Sequence, residues 1–286
     1  MADIKKHFWF VTDGKPGHIN QSLGLLEALH RRLPNVTWRE IPVMSIWQAI
    51  PFAWQQQKQR PTLIIGTGHR THLTLLILSK IMRVPCIVLM KPSLPLYWFD
   101  LCIIPEHDSP PARQNIINSM GPLNKLQPAN KEAGSGVILV GGPSKHFDWQ
   151  PEPLHAQLIK LIQQDPRNWT IATSRRTPES TISLLQTLAD VTLVLASDTD
   201  ANWLPGLLAK TERCWVTQDS MSMIYEALTA GCNVKLLDVP TRGKNRLSRG
   251  IQKLQSSGYL STDINPPLKL AEADRCAEII QQRYLS

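Results

Sequence analysis

The chain repeats one pattern along most of its length: a short apolar run, a polar turn, and then apolar residues at helical spacing. The first instance joins a predicted strand at residues 7–12 to a predicted helix at residues 19–33. The pattern restarts at residues 137–140, where another strand leads into a helix at about residues 152–164. Strands that alternate with helices in this way predict βαβ units and parallel sheets. We therefore expect an α/β protein.

Polar turns follow four predicted strands of the first half, at residues 7–12, 62–66, 85–90 and 101–104. The carboxyl ends of parallel strands lie at one edge of a sheet, and open α/β sheets bind ligands there. The residues that we expect at this edge are Asp13, Gly14, Lys15, Gly17, His18, His69, Arg70, Lys91, Ser93 and His107. Glycines in the first turn would let a ligand approach the backbone closely.

His18 is the best-placed candidate for a general base, because it would lie at the start of the first helix beside the bound ligand. Asp13 is either an alternative base or the residue that orients His18. A second interpretation is equally open, in which His18 binds the substrate without transferring a proton. His69, His72 and His107 match no zinc-binding spacing, so we expect no metal.

The second half carries two turns that suit a phosphate-bearing ligand. The first holds two adjacent arginines before a predicted helix, and arginine side chains and helix N-termini both bind phosphate. The second opens a helix that carries Glu226, whose carboxylate could accept hydrogen bonds from a ribose. Gly231 is expected to end that helix. The candidate residues are Gly141, Gly142, Ser174, Arg175, Arg176, Thr177, Asp219, Ser220, Ser222, Met223 and Glu226.

Charge divides unequally between the two halves. Residues 1–125 carry 14 Lys/Arg against 7 Asp/Glu, whereas the remaining residues carry 17 against 16. A basic first half indicates an anionic partner, although a soluble protein can also tolerate this charge. No aromatic-basic module or helix-turn-helix pattern is present, so nucleic acid is not the expected partner. Five scattered cysteines without a CxxC pair predict buried thiols in a reducing cytoplasm.

The segment 45–59 places Trp47, Phe52 and Trp54 among glutamines. One interpretation is an interfacial patch that touches lipid. The other, which we favour, is the core-facing edge of a helix. The polar stretch at residues 122–136, which contains prolines and glycines, predicts a linker between two domains. No run approaches the roughly 20 apolar residues of a membrane span.

Eight segments together resemble one protein family. They are residues 12–18 (TDGKPGH), 21–24 (QSLG), 66–70 (GTGHR), 91–95 (KPSLP), 105–108 (PEHD), 141–146 (GGPSKH), 174–177 (SRRT) and 219–231 (DSMSMIYEALTAG). The family is the mitochondrial-fission ELM (elongated mitochondria) family, whose bacterial members are described as glycosyltransferases of the lipooligosaccharide outer core. The resemblance covers nearly the whole chain.

This family is similar to the GT-B glycosyltransferases, which implies two Rossmann-like domains that face each other across a cleft. The implied domains are residues 1–125 on the acceptor side and residues 135–265 on the nucleotide-sugar donor side, with a C-terminal helix at residues 268–284 that packs on the first domain. Two segments also resemble the lipid-linked N-acetylglucosaminyltransferase of peptidoglycan synthesis. His18 matches the histidine that ends its glycine loop, although Lys15 and Pro16 replace glycines, and Glu226 matches its ribose-binding glutamate.

The resemblance implies a metal-independent glycosyltransferase that needs no cofactor and uses a nucleotide-sugar as substrate. The implied acceptor is an anionic glycolipid such as lipopolysaccharide core, held by the basic first half. We therefore expect a cytoplasmic protein, peripheral at the inner face of the inner membrane. The alternative is a non-catalytic adaptor on the same scaffold, since plant relatives are associated with recruiting a fission GTPase. A sugar-nucleotide epimerase or hydrolase remains a further alternative.

Overall fold

The computed structural model describes residues 6–243, 246–260 and 268–285, and these fall into two compact units. Unit 1 comprises the residues up to 125 together with those from 271 onward, and unit 2 comprises residues 126–270. The predicted domain end at residue 265 lies outside the described residues. Among the described residues, every helix is too short or too polar to span a lipid bilayer.

Unit 1 is built on a six-stranded parallel sheet with the order β2-β1-β3-β4-β5-β6. Its strands are β1 (Lys6–Thr12), β2 (Val36–Pro42), β3 (Leu63–Thr67), β4 (Cys86–Leu89), β5 (Leu101–Pro105) and β6 (Ile116–Ser119). Its helices are α1 (Pro16–Arg32), α2 (Ile46–Gln55), α3 (His72–Met82) and, from the far end of the chain, α9 (Glu272–Ile280). A π-helical turn, Gln281–Leu285, follows α9.

Alternate residues of the strands pack on opposite faces of this sheet, as the two-residue period of a strand requires. Phe8 and Phe10 face a core that α1 and α9 cover, whereas Trp9 and Val11 face a core that α2 and α3 cover. An ion pair of 2.7 Å between Arg31 and Asp274 joins α1 to α9 at the surface. Both faces are therefore covered by helices, which is the usual environment of a parallel sheet.

Unit 2 is built on a five-stranded parallel sheet with the order β11-β10-β7-β8-β9. Its strands are β7 (Glu132–Val140), β8 (Asn168–Thr173), β9 (Val191–Val194), β10 (Thr211–Thr217) and β11 (Asn233–Leu237). Its helices are α4 (Pro151–Gln164), α5 (Glu179–Leu185), α6 (Trp203–Lys210), α7 (Met221–Thr229) and α8 (Arg246–Ser256).

Each sheet has one position at which the chain reverses the direction in which it adds strands. In unit 1 this switch point lies between β1 and β3, and in unit 2 it lies between β7 and β10. Loops on either side of a switch point leave the sheet in opposite directions, so a crevice forms between them at the carboxyl edge. The turns that the sequence singles out after β1, β7 and β10 lie at these two positions.

Several element boundaries differ from the sequence-based predictions. The stretch 122–136 is not wholly a linker, because Glu132 to Gly136 already belong to β7 and pair with β8 and β10. Strand β6 and helix α6 were not predicted. Helix α9 begins at Glu272 rather than at residue 268.

The preference for a core-facing helix edge at Trp47 and Trp54 is wrong. Trp47 is 86% exposed and Trp54 is 66% exposed, and the side chains of α2 that are buried are Ala49 and Ala53. Ala53 belongs to the core that contains Trp9, and α2 packs against α3 there. Phe52 is partly buried against Trp9, with ring centroids 5.6 Å apart. The prediction of buried thiols is confirmed, since all five cysteines are buried and free.

Lys131 fixes the C-terminal ends of two helices in unit 2. Its ammonium group donates hydrogen bonds to the carbonyl oxygens of Leu208 and Ala209, in the last turn of α6, and to that of Ala230, directly after α7, at 3.1, 2.9 and 2.6 Å. These carbonyls lie where a helix leaves its last acceptors without intrahelical donors. Burial lowers the pKa of Lys131, in opposition to the raising effect of the nearby Cys232 and Cys214. The contact sets the position of α7, whose other end reaches the switch point.

Replacement of Lys131 by methionine is expected to reduce the free energy of unfolding by about 2 kcal/mol or more, because buried carbonyls lose a charged donor. Urea denaturation measures the change. The matched control is Lys210→Met, whose ammonium forms only an exposed ion pair with Glu132 and should cost less than about 0.5 kcal/mol. Equal losses in the two variants would contradict the role given to Lys131.

Candidate functional site

Threonines end four of the strands, and their hydroxyls bond to neighbouring turns or to a helix. Thr12, the last residue of β1, accepts a hydrogen bond from the Gly14 amide at 3.1 Å. Thr67, the last residue of β3, bonds the Ser22 hydroxyl of α1 at 2.8 Å. The Thr217 hydroxyl at the end of β10 accepts from the Gly141 amide, also at 2.8 Å. Because these hydroxyls are buried, each turn leaves the sheet along a fixed path.

His18 and Asp13 form a hydrogen-bonded pair at the switch point of unit 1. His18 Nδ1 lies 2.9 Å from Asp13 Oδ1, and the Asp13 side chain is fully buried. An ionised carboxylate can only accept hydrogen bonds, so Nδ1 carries the proton, and in the neutral ring the lone pair is on Nε2. Burial raises the pKa of Asp13, but hydrogen bonds from His18 and from the Lys15 amide more than offset this and leave the pKa below its ordinary 3.8.

Gly68, at the start of the turn after β3, leaves the space that the His18 ring occupies. A β-carbon at Gly68 would overlap the ring, and the backbone there has a φ of +90°, which favours glycine. Thus the two loops of this switch point, one after β1 and one after β3, meet at His18. The imidazole is fixed on one side by a carboxylate and on the other by bare backbone.

The other predicted residues of unit 1 lie in the same set of turns. Gly14, Lys15 and Gly17 are exposed beside His18, and His69 and Arg70 are exposed directly after Gly68. Lys91 donates a hydrogen bond of 3.0 Å to the Asp108 carbonyl, which joins the turns after β4 and β5. The Ser93 hydroxyl lies 3.3 Å from His72 Nδ1. The side chain of His107 is nearly buried, with Nε2 4.0 Å from an Asp108 oxygen.

Asp219 joins three segments at the switch point of unit 2. One of its carboxylate oxygens accepts from Arg176 at 2.7 Å and from the Gly142 amide at 3.1 Å, and the side chain is fully buried. Arg176 also donates to the carbonyls of Gly142 and Pro143, at 2.8 and 3.1 Å. A β-carbon at Gly141 would overlap the Asp219 carboxylate, and one at Gly142 would overlap the Arg176 backbone. Contacts within the protein therefore require glycine at both positions, before any ligand is considered.

Ser174 and Thr177 form hydrogen bonds within the turn that carries the arginines. The Thr177 hydroxyl donates to the carbonyl of Gly141 at 2.6 Å and accepts from the Ser174 amide at 2.8 Å. The Ser174 hydroxyl donates to the same Gly141 carbonyl at 3.0 Å. The turn after β8 is thus tied to the turn after β7. Both side chains have a structural partner before any ligand is considered.

Both arginines are exposed, but Arg175 differs from Arg176 because its side chain makes no hydrogen bond or ion pair with the described residues. Nearby along the same sheet edge, α7 begins at Met221 without a side-chain cap, so the amides of its first turn remain available to an anion. Ser222, Met223 and Glu226 lie on the face of α7 that is not buried, as their helical spacing requires. Gly231 ends the helix at a φ of +78°, as predicted.

The family is shown by a match over residues 16–284 to the model described as Mitochondrial fission ELM1. The chain belongs to this family. A relative in Rickettsia prowazekii, described as uncharacterized protein RP120, is 23% identical over 79% of this chain and 81% of its own length. The predicted membership of the ELM family is therefore confirmed.

Solved structures share the fold of this ELM-family chain at low sequence identity. A Listeria monocytogenes protein assigned as a UDP-N-acetylglucosamine 2-epimerase is 9% identical, with a TM-score of 0.63 over 98% of this chain and 97% of its own. MurG from Acinetobacter baumannii is 11% identical, with a TM-score of 0.54 over 97% and 99%. HepE from Anabaena, solved with UDP-glucose, is 13% identical, with a TM-score of 0.50 over 97% and 95%. These likenesses confirm the predicted α/β fold of the GT-B class with two Rossmann-like units.

Three features of this ELM-family site were not found from the sequence. They are the strand-ending threonines, the support of His18 by Gly68, and the use of Asp219 as an acceptor for Arg176. The strand-ending threonines could have been found from the sequence, because apolar runs end with a threonine at residues 12, 67, 173 and 217. The other two are contacts between residues 50 and 43 positions apart. Local patterns cannot show such contacts.

The two adjacent arginines are expected to differ in their effect on stability. Arg176→Ala removes the partner of a buried carboxylate and should lower the free energy of unfolding by about 2 kcal/mol. Arg175→Ala should change it by less than about 0.5 kcal/mol, because the side chain is exposed and makes no hydrogen bond or ion pair with the described residues. Urea denaturation of both variants measures this difference. A similar loss at the two positions would mean that Asp219 does not depend on Arg176.

Proposed function

We propose that this ELM-family protein is a glycosyltransferase that moves a sugar from a nucleotide-sugar to an anionic glycolipid such as lipopolysaccharide core. The observation that carries this proposal is the buried Asp13 carboxylate bonded to His18 Nδ1 at a switch point. A buried carboxylate that fixes one tautomer of a partly exposed imidazole is an arrangement that supports general-base catalysis.

Unit 2 would bind the donor. Arg175 would contact the diphosphate together with the open amides of Met221 and Ser222 at the start of α7, where a helix N-terminus favours an anion. Glu226, two turns along the exposed face of α7 from Asp219, would accept hydrogen bonds from the ribose. Gly141, Gly142, Ser174, Arg176, Thr177 and Ser220 would shape the pocket floor. Met223 would pack against the nucleotide.

Unit 1 would bind the acceptor. Its polar turns supply Lys15, Arg70 and Lys91 for an anionic group, and Gly14 and Gly17 leave room at the backbone. Ser93, His69 and His107 would complete the contacts. His18 Nε2 would take the proton from the acceptor hydroxyl as that oxygen attacks the sugar C1, and the imidazolium that forms would be stabilised by Asp13. The nucleoside diphosphate would then leave with the electron pair of the broken C1–O bond.

No metal or cofactor is needed in this scheme. Negative charge develops on the departing diphosphate, and Arg175 with the α7 amides would offset it where a divalent ion does so in other enzymes. Among the described residues no group of three His, Cys, Asp or Glu side chains could hold a metal ion. The Asp13 and Asp219 carboxylates are already committed to His18 and Arg176. A glycolipid acceptor would place the protein at the inner face of the inner membrane, peripherally bound.

A nucleoside diphosphate is expected to stabilise the protein against heat. A ligand at about 100 times its Kd adds roughly 2.7 kcal/mol to the free energy of unfolding. Thermal denaturation with UDP, GDP, ADP and CMP would identify the base, and Arg175→Ala should weaken binding at least about tenfold through the loss of charge-assisted hydrogen bonds. Lys160→Ala, on α4, is the control and should bind like the native protein. No stabilisation by any nucleotide would instead favour the adaptor.

His18→Gln is expected to lower the rate of sugar transfer by about 10² to 10⁴-fold while it leaves nucleotide binding unchanged, because glutamine cannot take up the proton. The rate is measured with radiolabelled donor and extracted glycolipid. His155→Gln, on α4, is the control. If His18→Gln keeps the native rate, His18 only binds. The products also separate transfer from epimerisation, a reaction that the epimerase fold likeness makes worth testing.

A further inference from the structure

Unit 1 exposes a cluster of large apolar side chains that we call the aromatic face. It comprises Ile46, Trp47, Ile50, Trp54, Leu73, Tyr97 and Trp98, with exposed fractions from 38% to 86%. Among the described residues only Ile159 and Leu268, both in unit 2, are other large apolar side chains exposed to this degree. The exposure is therefore concentrated in one region, and such a concentration marks an interaction surface.

The elements of the aromatic face lie on the same side of the sheet of unit 1. Helices α2 and α3 and the segment around Phe99 all pack on the core that contains Trp9. Thr74 of α3 exchanges hydrogen bonds of 3.0 Å with the backbone of Met44, just before α2. His72 contacts Phe99, with ring centroids 5.6 Å apart. The starts of α2 and α3 are therefore joined, and α3 is joined to the segment that carries Tyr97 and Trp98.

Helix α2 is apolar on both of its sides. Ala49 and Ala53 are buried, whereas Ile46, Ile50 and Trp54 recur at intervals of four on the exposed side, beside Trp47. No residue of the helix is charged, and Gln48 and Gln55 are its polar residues. A helix with apolar residues all round is normally enclosed by protein or lipid. Here the protein encloses only one side.

The segment that carries the aromatic face is basic, and the exposed residues Glu40 and Asp100 flank it. Residues 41–99 contain no Asp or Glu, and they carry six basic residues, namely Lys58, Arg60, Arg70, Lys80, Arg83 and Lys91. All six are exposed. An anionic surface complements this charge, whereas a second copy of the same face would bring like charges together.

We propose that the aromatic face docks on the surface of an anionic lipid bilayer. Tryptophan and tyrosine are favoured at the level of the lipid headgroups, where one end of the ring is apolar and the other is wet. A helix that buries one apolar side in the interface, beside lysines and arginines, binds through apolar area and through attraction to anionic headgroups. The aromatic face has apolar side chains and basic residues in the same segment, so the apolar and electrostatic contributions to membrane binding add.

The aromatic face lies close to the residues proposed to bind the acceptor. Its relevance to catalysis rests on that proposed function. Helices α2 and α3 begin at the carboxyl ends of β2 and β3, at the edge of the sheet that also carries His18 and Gly68. Exposed His69 and Arg70 precede Leu73 by only a few residues. A lipid surface on this face would therefore bring membrane-anchored headgroups next to the polar turns of unit 1.

Vesicle flotation tests the proposal with the full chain. The protein should float with phosphatidylcholine vesicles that contain about one third phosphatidylglycerol and much less with phosphatidylcholine alone, and rising salt should weaken the binding. The double variant Trp47→Ser/Trp54→Ser should lower the partition coefficient at least about tenfold, because two aromatic side chains no longer enter the interface. Lys58→Gln/Lys80→Gln should lower it about fivefold for each charge at low salt.

Matched controls come from α4 of unit 2, where Ile159→Ser and Lys160→Gln remove an exposed apolar side chain and an exposed charge. Both should float like the native protein. The proposal is overturned if the tryptophan variant floats like the native protein, or if the controls reduce binding equally. It is also overturned if light scattering shows a native dimer that the tryptophan variant turns into a monomer without loss of flotation.

The same variants separate this proposal from the proposed function. The tryptophan variant should keep its thermal stabilisation by the nucleoside diphosphate, which also shows that it is folded. Flotation without any nucleotide binding would support the docking surface and contradict the donor site. Nucleotide binding without flotation would contradict the docking surface alone.

Discussion

Each unit buries one aspartate side chain at the switch point of its sheet, and the local structure depends on these two carboxylates. Asp13 holds His18, and Asp219 holds Arg176 together with the Gly142 amide. Each burial costs several kcal/mol unless a hydrogen-bonding partner is in place, so each carboxylate and its partner must be fixed together. In both carboxylates one oxygen makes no hydrogen bond within the described part of the chain. The arrangement therefore puts rigidity where the two sheets can bind ligands.

The rest of the structure supports those positions from a distance. Threonine hydroxyls at the strand ends fix how each turn leaves the sheet, and Lys131 fixes the far end of the helix whose first turn stands beside Asp219. Helix α7 is thus fixed at both of its ends, and its open N-terminal amides lie in a constant direction. An anion site made of amides works only if the amides do not have to reorganise on binding. The free-energy cost of fixing these amides arises during folding rather than on binding.

The sequence predicts the strand–turn–helix units well, because buried parallel strands are short apolar runs between turn residues. It fails where a local rule is overridden. Strand β6 has four residues at the edge of its sheet, next to prolines at 110 and 111, and gives no strand signal of its own. Helix α6 contains Pro205 and Gly206, which normally argue against a helix, but Pro205 lies in the first turn, where its missing N–H costs nothing.

Side-chain roles were harder to predict than elements, and two pairs of residues show why. Arg175 and Arg176 are neighbours of one type, yet only Arg176 reaches the buried carboxylate 43 positions away. Trp47 and Ala49 are two positions apart on one helix, and hydrophobicity alone would bury the tryptophan. The small residue is nevertheless buried, whereas Trp47 is 86% exposed. Which side of a helix faces its neighbours, a property that no single-sequence pattern encodes, thus decides which residues fill the core and which remain for ligands and partners.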